Sequence, residues 1–166
     1  MSLEPNFDGI LPELRVVPNW VLAKLVVRDG KPTKPPFQPN GRPASHSDPT
    51  SWSPFVVVKR AYERGGFLGV GFVLDGKPHF GGRYLHGFDW DHCIENGVVD
   101  PAVKAAIKEL SISRIEISVS GTGIRGFFLH HELLPSRRTQ INGRSVELYS
   151  NLRYLTTTGW GRGTLE

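Results

Sequence analysis

Asp89 and Asp91 stand two residues apart in Leu85-His86-Gly87-Phe88-Asp89-Trp90-Asp91-His92-Cys93, a run otherwise rich in large apolar and aromatic side chains. In an extended strand, side chains two apart share a face, so the two carboxylates project together. Adjacent anions in an apolar setting repel each other and lose hydration, and a cation has to compensate. A divalent metal ion suits such a pair, which makes the chain a candidate metal-dependent enzyme. A bare Asp-x-Asp also flanks turns and caps helices, but Phe88 and Trp90 favour a strand with one buried face.

Two further segments carry chemistry. In Ser118-Val119-Ser120-Gly121-Thr122-Gly123-Ile124-Arg125, glycines at a tight turn let backbone N–H groups approach an anion, and Arg125 can add a charge-assisted bond. The same residues suit an ordinary β-hairpin, and the segment alone does not separate the two. It is not a Walker loop, because no Gly-Lys-Ser/Thr follows. In Val146-Glu147-Leu148-Tyr149, an acid sits between apolar neighbours, either on a polar site face or facing solvent. The histidines offer less. His130-His131 lacks the alternation that puts two rings on one strand face, and His86 and His92 flank the acids as supporting or exposed groups.

The elements that must position these groups follow from pattern. Asn19 to Arg28 reads as a strand, and the proline-rich stretches 29–36 and 39–43 break regular structure. Lys31 and Lys34 in the first of these belong to a solvated loop or lie against a ligand. Ser53 is the expected N-cap of a helix running from Pro54 to Gly65 or Gly66. Phe67 to Leu74 is a strand followed by an Asp75-Gly76 turn, and Tyr84 to Asp91 is the strand of the acidic pair. Asp100-Pro101 opens a second helix. Arg114 to Ser120 alternates, with Ile115, Ile117 and Val119 on one face and Arg114, Glu116, Ser118 and Ser120 on the other. Strands are expected at 124–131, 145–149 and 154–158. This order gives an α+β fold, not a doubly wound one.

With 166 residues, 39% hydrophobic and 22% charged, the chain is long enough for one ordinary domain with a core. No apolar run approaches a membrane span and no signal peptide opens the sequence. Cys93 is the only cysteine, so an internal disulfide and a cysteine-cage zinc site are excluded, and an intracellular protein is expected. The formal charge of +4 fits a polyanionic partner or a phosphorylated substrate without requiring one.

Taken together, these segments resemble the archaeo-eukaryotic primase superfamily in its phage- and plasmid-borne primase-polymerase branch. The resemblance runs through Pro18-Asn19-Trp20-Val21-Leu22, residues 30–37, residues 48–55 and Gly69 to Leu74. It continues in three motif regions: Gly87 to Cys93, Glu116 to Gly123, and Val146 to Tyr149 with Arg153-Tyr154 and Thr158-Gly159. It implies an α+β fold with a mixed or antiparallel sheet: an RRM-like catalytic core over about residues 81–166 and an N-terminal α/β lobe over about residues 1–80. It also implies that Asp89, Asp91 and Glu147 are catalytic and hold two Mg²⁺ or Mn²⁺ ions. Ser120, Gly121, Gly123 and Arg125 would cradle the incoming triphosphate, with Lys34 and Arg153 contacting triphosphate or template. The family ends its second motif in histidine where this chain has Arg125; arginine can bind phosphate but cannot act as a general acid near neutral pH.

The implied activity is template-directed nucleotide transfer from NTPs or dNTPs to a 3′-hydroxyl on single-stranded or primed DNA. The implied setting is the cytoplasm of a bacterial or phage-infected cell, with a fused or separate replicative helicase and no membrane partner. The chain ends soon after Thr158-Gly159, as an excised domain or as a compact module. The missing histidine and short chain suit an alternative, a non-catalytic nucleotide- or nucleic-acid-binding module. A rolling-circle nuclease ranks last because its His-hydrophobe-His pair is absent.

Overall fold

A computed structural model describes residues 2–110, 112 and 114–165. The helices are α1 (Pro12–Arg15), α2 (Phe55–Glu63) and α3 (Pro101–Glu109). The strands of the first half are β1 (Trp20–Ala23), β2 (Val26–Arg28), β3 (Lys31–Thr33), β4 (Pro36–Phe37) and β5 (Gly69–Asp75). Those of the second half are β6 (Tyr84–Trp90), β7 (Ile94–Glu95), β8 (Val98–Val99), β9 (Arg114–Ile117), β10 (Ile124–His130), β11 (Arg137–Ile141), β12 (Arg144–Tyr149), β13 (Asn151–Thr157) and β14 (Gly161–Arg162).

Two sheets dominate: a four-stranded one in the order β13-β5-β1-β4 and a six-stranded one in the order β11-β12-β6-β10-β9-β14. Among the described residues every strand pairing is antiparallel, so the fold is α+β with few helices. Chain order and sheet membership differ, because β13 pairs with β5 and completes the sheet that begins near residue 20. No helix among the described residues is long and apolar enough to cross a membrane.

Alternation explains how the larger sheet is buried on both faces. Phe88, Trp90, Ile124 and Val146 pack against Val103 and Ala106 of α3. From the opposite face, Leu85 and Phe127 join the core built on Trp20, Leu22, Phe55, Val58, Phe72 and Leu155. Gly87 makes room for a side chain of the other sheet: a Cβ there would lie 2.0 Å from Leu155 Cδ1 of β13. That contact packs β13 of one sheet against the strand of the acidic pair in the other.

Several elements differ from the sequence expectation. The strand expected over Asn19–Arg28 splits into β1, wholly buried in the main sheet, and β2, which pairs only with β3. The stretch expected to break regular structure therefore carries two short strands, turned by Asp29 and Gly30 at positive φ. Ser53 does not cap α2: its backbone exchanges hydrogen bonds with Trp20, and Pro54 holds the cap position. Asp100 does cap α3, accepting from the Ala102 amide at 2.8 Å. The acidic-pair strand ends at Trp90, leaving Asp91 in the turn beyond it.

Candidate active site

Strand register lines up a row of charges across the six-stranded sheet. Arg138 of β11 stands opposite Glu147 of β12, and Glu147 stands opposite Asp89 of β6. Asp89 faces Arg125 of β10, which faces Glu116 of β9. Directly opposed residues share a face, so five ionisable side chains from five strands project together.

Burial sets their electrostatics. The side chain of Asp89 is 13% exposed and that of Arg125 is 9% exposed. Arg125 Nη2 donates to Asp89 Oδ2 at 3.0 Å, and Nη1 donates to the Thr156 carbonyl at 3.1 Å and to the Thr156 hydroxyl. Asp89 Oδ1 is buried without a hydrogen-bond partner, as is Arg125 Nε. Burial, reinforced by the charges of Asp91 and Glu147, pushes the Asp89 carboxyl up to about 6 despite Arg125 and Lys34. Glu147 rests on different partners: its Oε1 accepts from Arg138 Nη2 and its Oε2 from the Tyr149 hydroxyl. Arg153 donates to the same hydroxyl at 3.1 Å and lies 4.6 Å from the Tyr149 ring centre.

Asp89 and Asp91 border a cleft of about 640 Å³ whose walls include Arg28, Lys34, Arg125 and Arg153. His46, Tyr149 and Tyr154 line it as well. Burial pushes the Tyr154 phenol up to about 12, so it stays protonated and donates to the Lys34 carbonyl. That bond ties β13 to the proline-rich segment after β3. On the other flank, Asp89, Asp91 and Glu147 all line a smaller cavity of about 300 Å³, with Arg138 and Arg144.

Among the described residues no three His, Cys, Asp or Glu side chains converge as a ready cation cage. The donors nonetheless suit a hard divalent ion in type: Asp89 offers a buried, unpartnered carboxylate oxygen, and Asp91 is exposed beside the same cavities. Both oxygens of Glu147 already accept a hydrogen bond, from Arg138 and from Tyr149.

The structure thus brings Asp89, Asp91, Arg125, Lys34 and Arg153 to one cleft and Glu147 to its margin. Ser120, Gly121 and Gly123 lie elsewhere and do not line that cleft. Their turn is closed on itself: the Gly121 amide donates to the Ser118 carbonyl at 2.8 Å and the Gly123 amide to the Ser118 hydroxyl at 3.0 Å. Gly123 packs against the acidic turn, since a Cβ there would sit 2.8 Å from the Trp90 carbonyl oxygen and 3.5 Å from Asp91 Cα. His86 is fully buried on the opposite face: Nε2 accepts from the Leu134 amide at 3.0 Å, which leaves Nδ1 to donate to the Tyr84 carbonyl. It is neither exposed nor a partner of the acids. Arg28, His46 and Arg138 escape sequence reasoning, because long-range folding alone brings them to the site. Only the Asn142-Gly143 turn announces the hairpin that carries Arg138.

An antiparallel α+β domain with a buried and an exposed carboxylate at a basic cleft is the class that fold and site define. No protein-family model matches the chain. The chain is 31% identical over 147 residues to a DNA primase-polymerase of Nitratiruptor phage NrS-1, an alignment covering 84% of this chain and 19% of that protein. The match supports a primase-polymerase relationship, and the chain spans about a fifth of that relative's length.

Proposed function

We propose that the chain is the catalytic domain of a primase-polymerase. It would transfer nucleotides from NTPs or dNTPs to a 3′-hydroxyl on single-stranded or primed DNA. The observation that carries this is the buried, half-satisfied Asp89 carboxylate at a basic cleft, in a chain 31% identical to a phage DNA primase-polymerase. In this reading the six-stranded sheet with α3 would be the counterpart of the RRM-like core of that superfamily. The proposed setting is the cytoplasm of a bacterial or phage-infected cell, beside a fused or separate helicase.

The chain's own residues supply positioning and electrostatics. Lys34, Arg28 and Arg153 neutralise the triphosphate, and Tyr149 and Tyr154 offer aromatic surface to the nucleoside. Arg125 holds Asp89 in place, and a guanidinium binds without transferring protons. Mg²⁺ or Mn²⁺, one or two ions on Asp89, Asp91 and a released Glu147, would supply Lewis-acid activation of the 3′-hydroxyl and charge neutralisation at pyrophosphate.

Primer extension on a primed template with Mn²⁺ or Mg²⁺ tests this. Wild-type protein is expected to extend, and the Asp89→Ala/Asp91→Ala variant to lose at least about 10³-fold, roughly 4 kcal/mol of barrier. A non-catalytic binding module is the second reading, favoured by the resting partners of Glu147. Nucleotide binding with no extension by the wild type would establish it instead.

A further inference from the structure

Alternation puts Phe88, Trp90 and Ile124 on the face of the six-stranded sheet that carries α3, and Asp89 and Arg125 on the other. On the α3 face a cavity of about 600 Å³ is lined from α3, β8, β10 and β14. It shares no lining residue with either cavity beside the acidic pair. We propose that this groove docks an acidic, apolar segment of a partner protein. The partner's carboxylates bind Lys104, Lys108 and Arg162, and its bulky apolar side chains fill the space between them.

The floor of the groove is aliphatic: Ile124 is buried, and Val99, Ile107 and Ile112 are half-buried. Its rim is cationic. Lys104 and Lys108 stand one turn apart on one side of α3. Arg162 lies opposite Ile115 in strand register, which puts it on the same sheet face as Ile124. All three cations are exposed. No Asp or Glu lines the cavity, and among the described residues none of the three forms an ion pair. Other exposed cations of the chain do find acids, Lys59 on Glu63 and Arg144 on Asp100. Three uncompensated positive charges around an apolar floor call for a complement that is apolar and negative.

A nucleic-acid strand is also negative, and the floor separates the two. Single strands are held largely by open aromatic faces on which bases stack. No aromatic side chain lines this cavity, whereas the cleft on the opposite face has two tyrosines beside its cations. Aliphatic walls suit the leucine- and phenylalanine-sized groups of a peptide, and the volume falls within the ordinary range of binding clefts. A peptide that lays its apolar side chains into such a groove is a recurring mode of protein recognition. Among the described residues β14 is the last strand of the sheet, so no further strand covers the groove on the Arg162 side.

Fluorescence anisotropy with a fluorescein-labelled peptide that alternates aspartate with leucine and phenylalanine tests the docking site. The wild type is expected to bind it saturably, and Lys104→Glu/Lys108→Glu to bind it at least about 10-fold more weakly at low salt. Both lysines are exposed on a helix and glutamate is a good helix former, so the variant is expected to keep the wild-type circular dichroism. A peptide with asparagine for aspartate, and one with serine for leucine and phenylalanine, are each expected to lose about 10-fold, because the groove reads charge and apolar surface together. Primer extension by the double variant is expected to match the wild type, since both lysines lie on the face opposite the acidic pair. Peptide affinity unchanged by the charge reversal, or no saturable binding up to about 1 mM, overturns the proposal. A variant that loses affinity for oligo-dT but not for the peptide assigns the groove to nucleic acid and overturns it too. So does a wild-type dimer in sedimentation that the variant dissolves, which assigns the groove to a second copy.

Discussion

Two buried arginine–carboxylate pairs share one face of the six-stranded sheet, and they are built to opposite ends. Glu116 is 2% exposed and fully engaged: Oε1 accepts from Arg114 at 2.6 Å, and Oε2 accepts from the Thr157 hydroxyl at 2.7 Å and the Thr158 amide at 2.9 Å. Asp89, two strands away, accepts from Arg125 on one oxygen and leaves the other buried and unpartnered. The first pair locks β9 to the segment after β13. The second stores an unsatisfied charge where two cavities meet. A satisfied buried carboxylate is structure; an unsatisfied one at a cleft is a candidate for chemistry.

Opposite responses to neutralisation give the sharpest way to break this contrast. Glu116→Gln leaves Arg114 buried without its counter-charge and is expected to cost about 3 to 5 kcal/mol. Asp89→Asn removes a charge that the fold opposes even with Arg125 beside it, and the cost of leaving Arg125 without its partner offsets the gain, so stability at pH 7.5 is expected to stay level or rise by up to about 3 kcal/mol. Urea unfolding of both variants beside wild type checks the two signs. Equal losses in both would erase the distinction.

The pH dependence of stability without divalent ions isolates the same contrast more finely. Asp89 has a folded value raised to about 6, so its contribution is fully present below the ordinary carboxylate range and is lost as pH rises through about 6, by about 3 kcal/mol in all. His86 acts with the opposite sign. Burial lowers its value, so its contribution is present above the ordinary histidine range and is lost as pH falls. Subtracting the Asp89→Asn profile from the wild-type profile cancels His86 and should leave a slope confined to pH 4 to 6. A flat difference profile would contradict the raised carboxyl.

How much of this is legible in the sequence depends on how local its cause is. Asp89 and Asp91 stand out because the aromatic residues between and before them mark a buried strand. Asp100 declares its helix through a cap that reaches only two residues. Glu116 is harder. The alternation of residues 114–120 is real, but burial does not follow it: Arg114 and Glu116 lie inside along with Val119, while Ile117 is 39% exposed. A polar face goes inside when its charges neutralise one another and a hydroxyl and two backbone amides arrive from 41 to 43 residues away, which no local pattern reports. β11 is missed for a related reason, since Arg137-Arg138-Thr139-Gln140-Ile141 has almost no apolar signal of its own. Glu147 as a partner of Asp89 depends on strand register, and only the family resemblance points to it beforehand.

The account turns on Asp89 being a buried, destabilised carboxylate that a divalent ion can relieve. A ¹³C NMR titration of the Asp89 side chain, with and without Mg²⁺, measures that directly. The expected result is a midpoint near pH 6 in metal-free protein that moves down toward the ordinary carboxylate range when Mg²⁺ is added. A midpoint already in the ordinary range and indifferent to Mg²⁺ would contradict it.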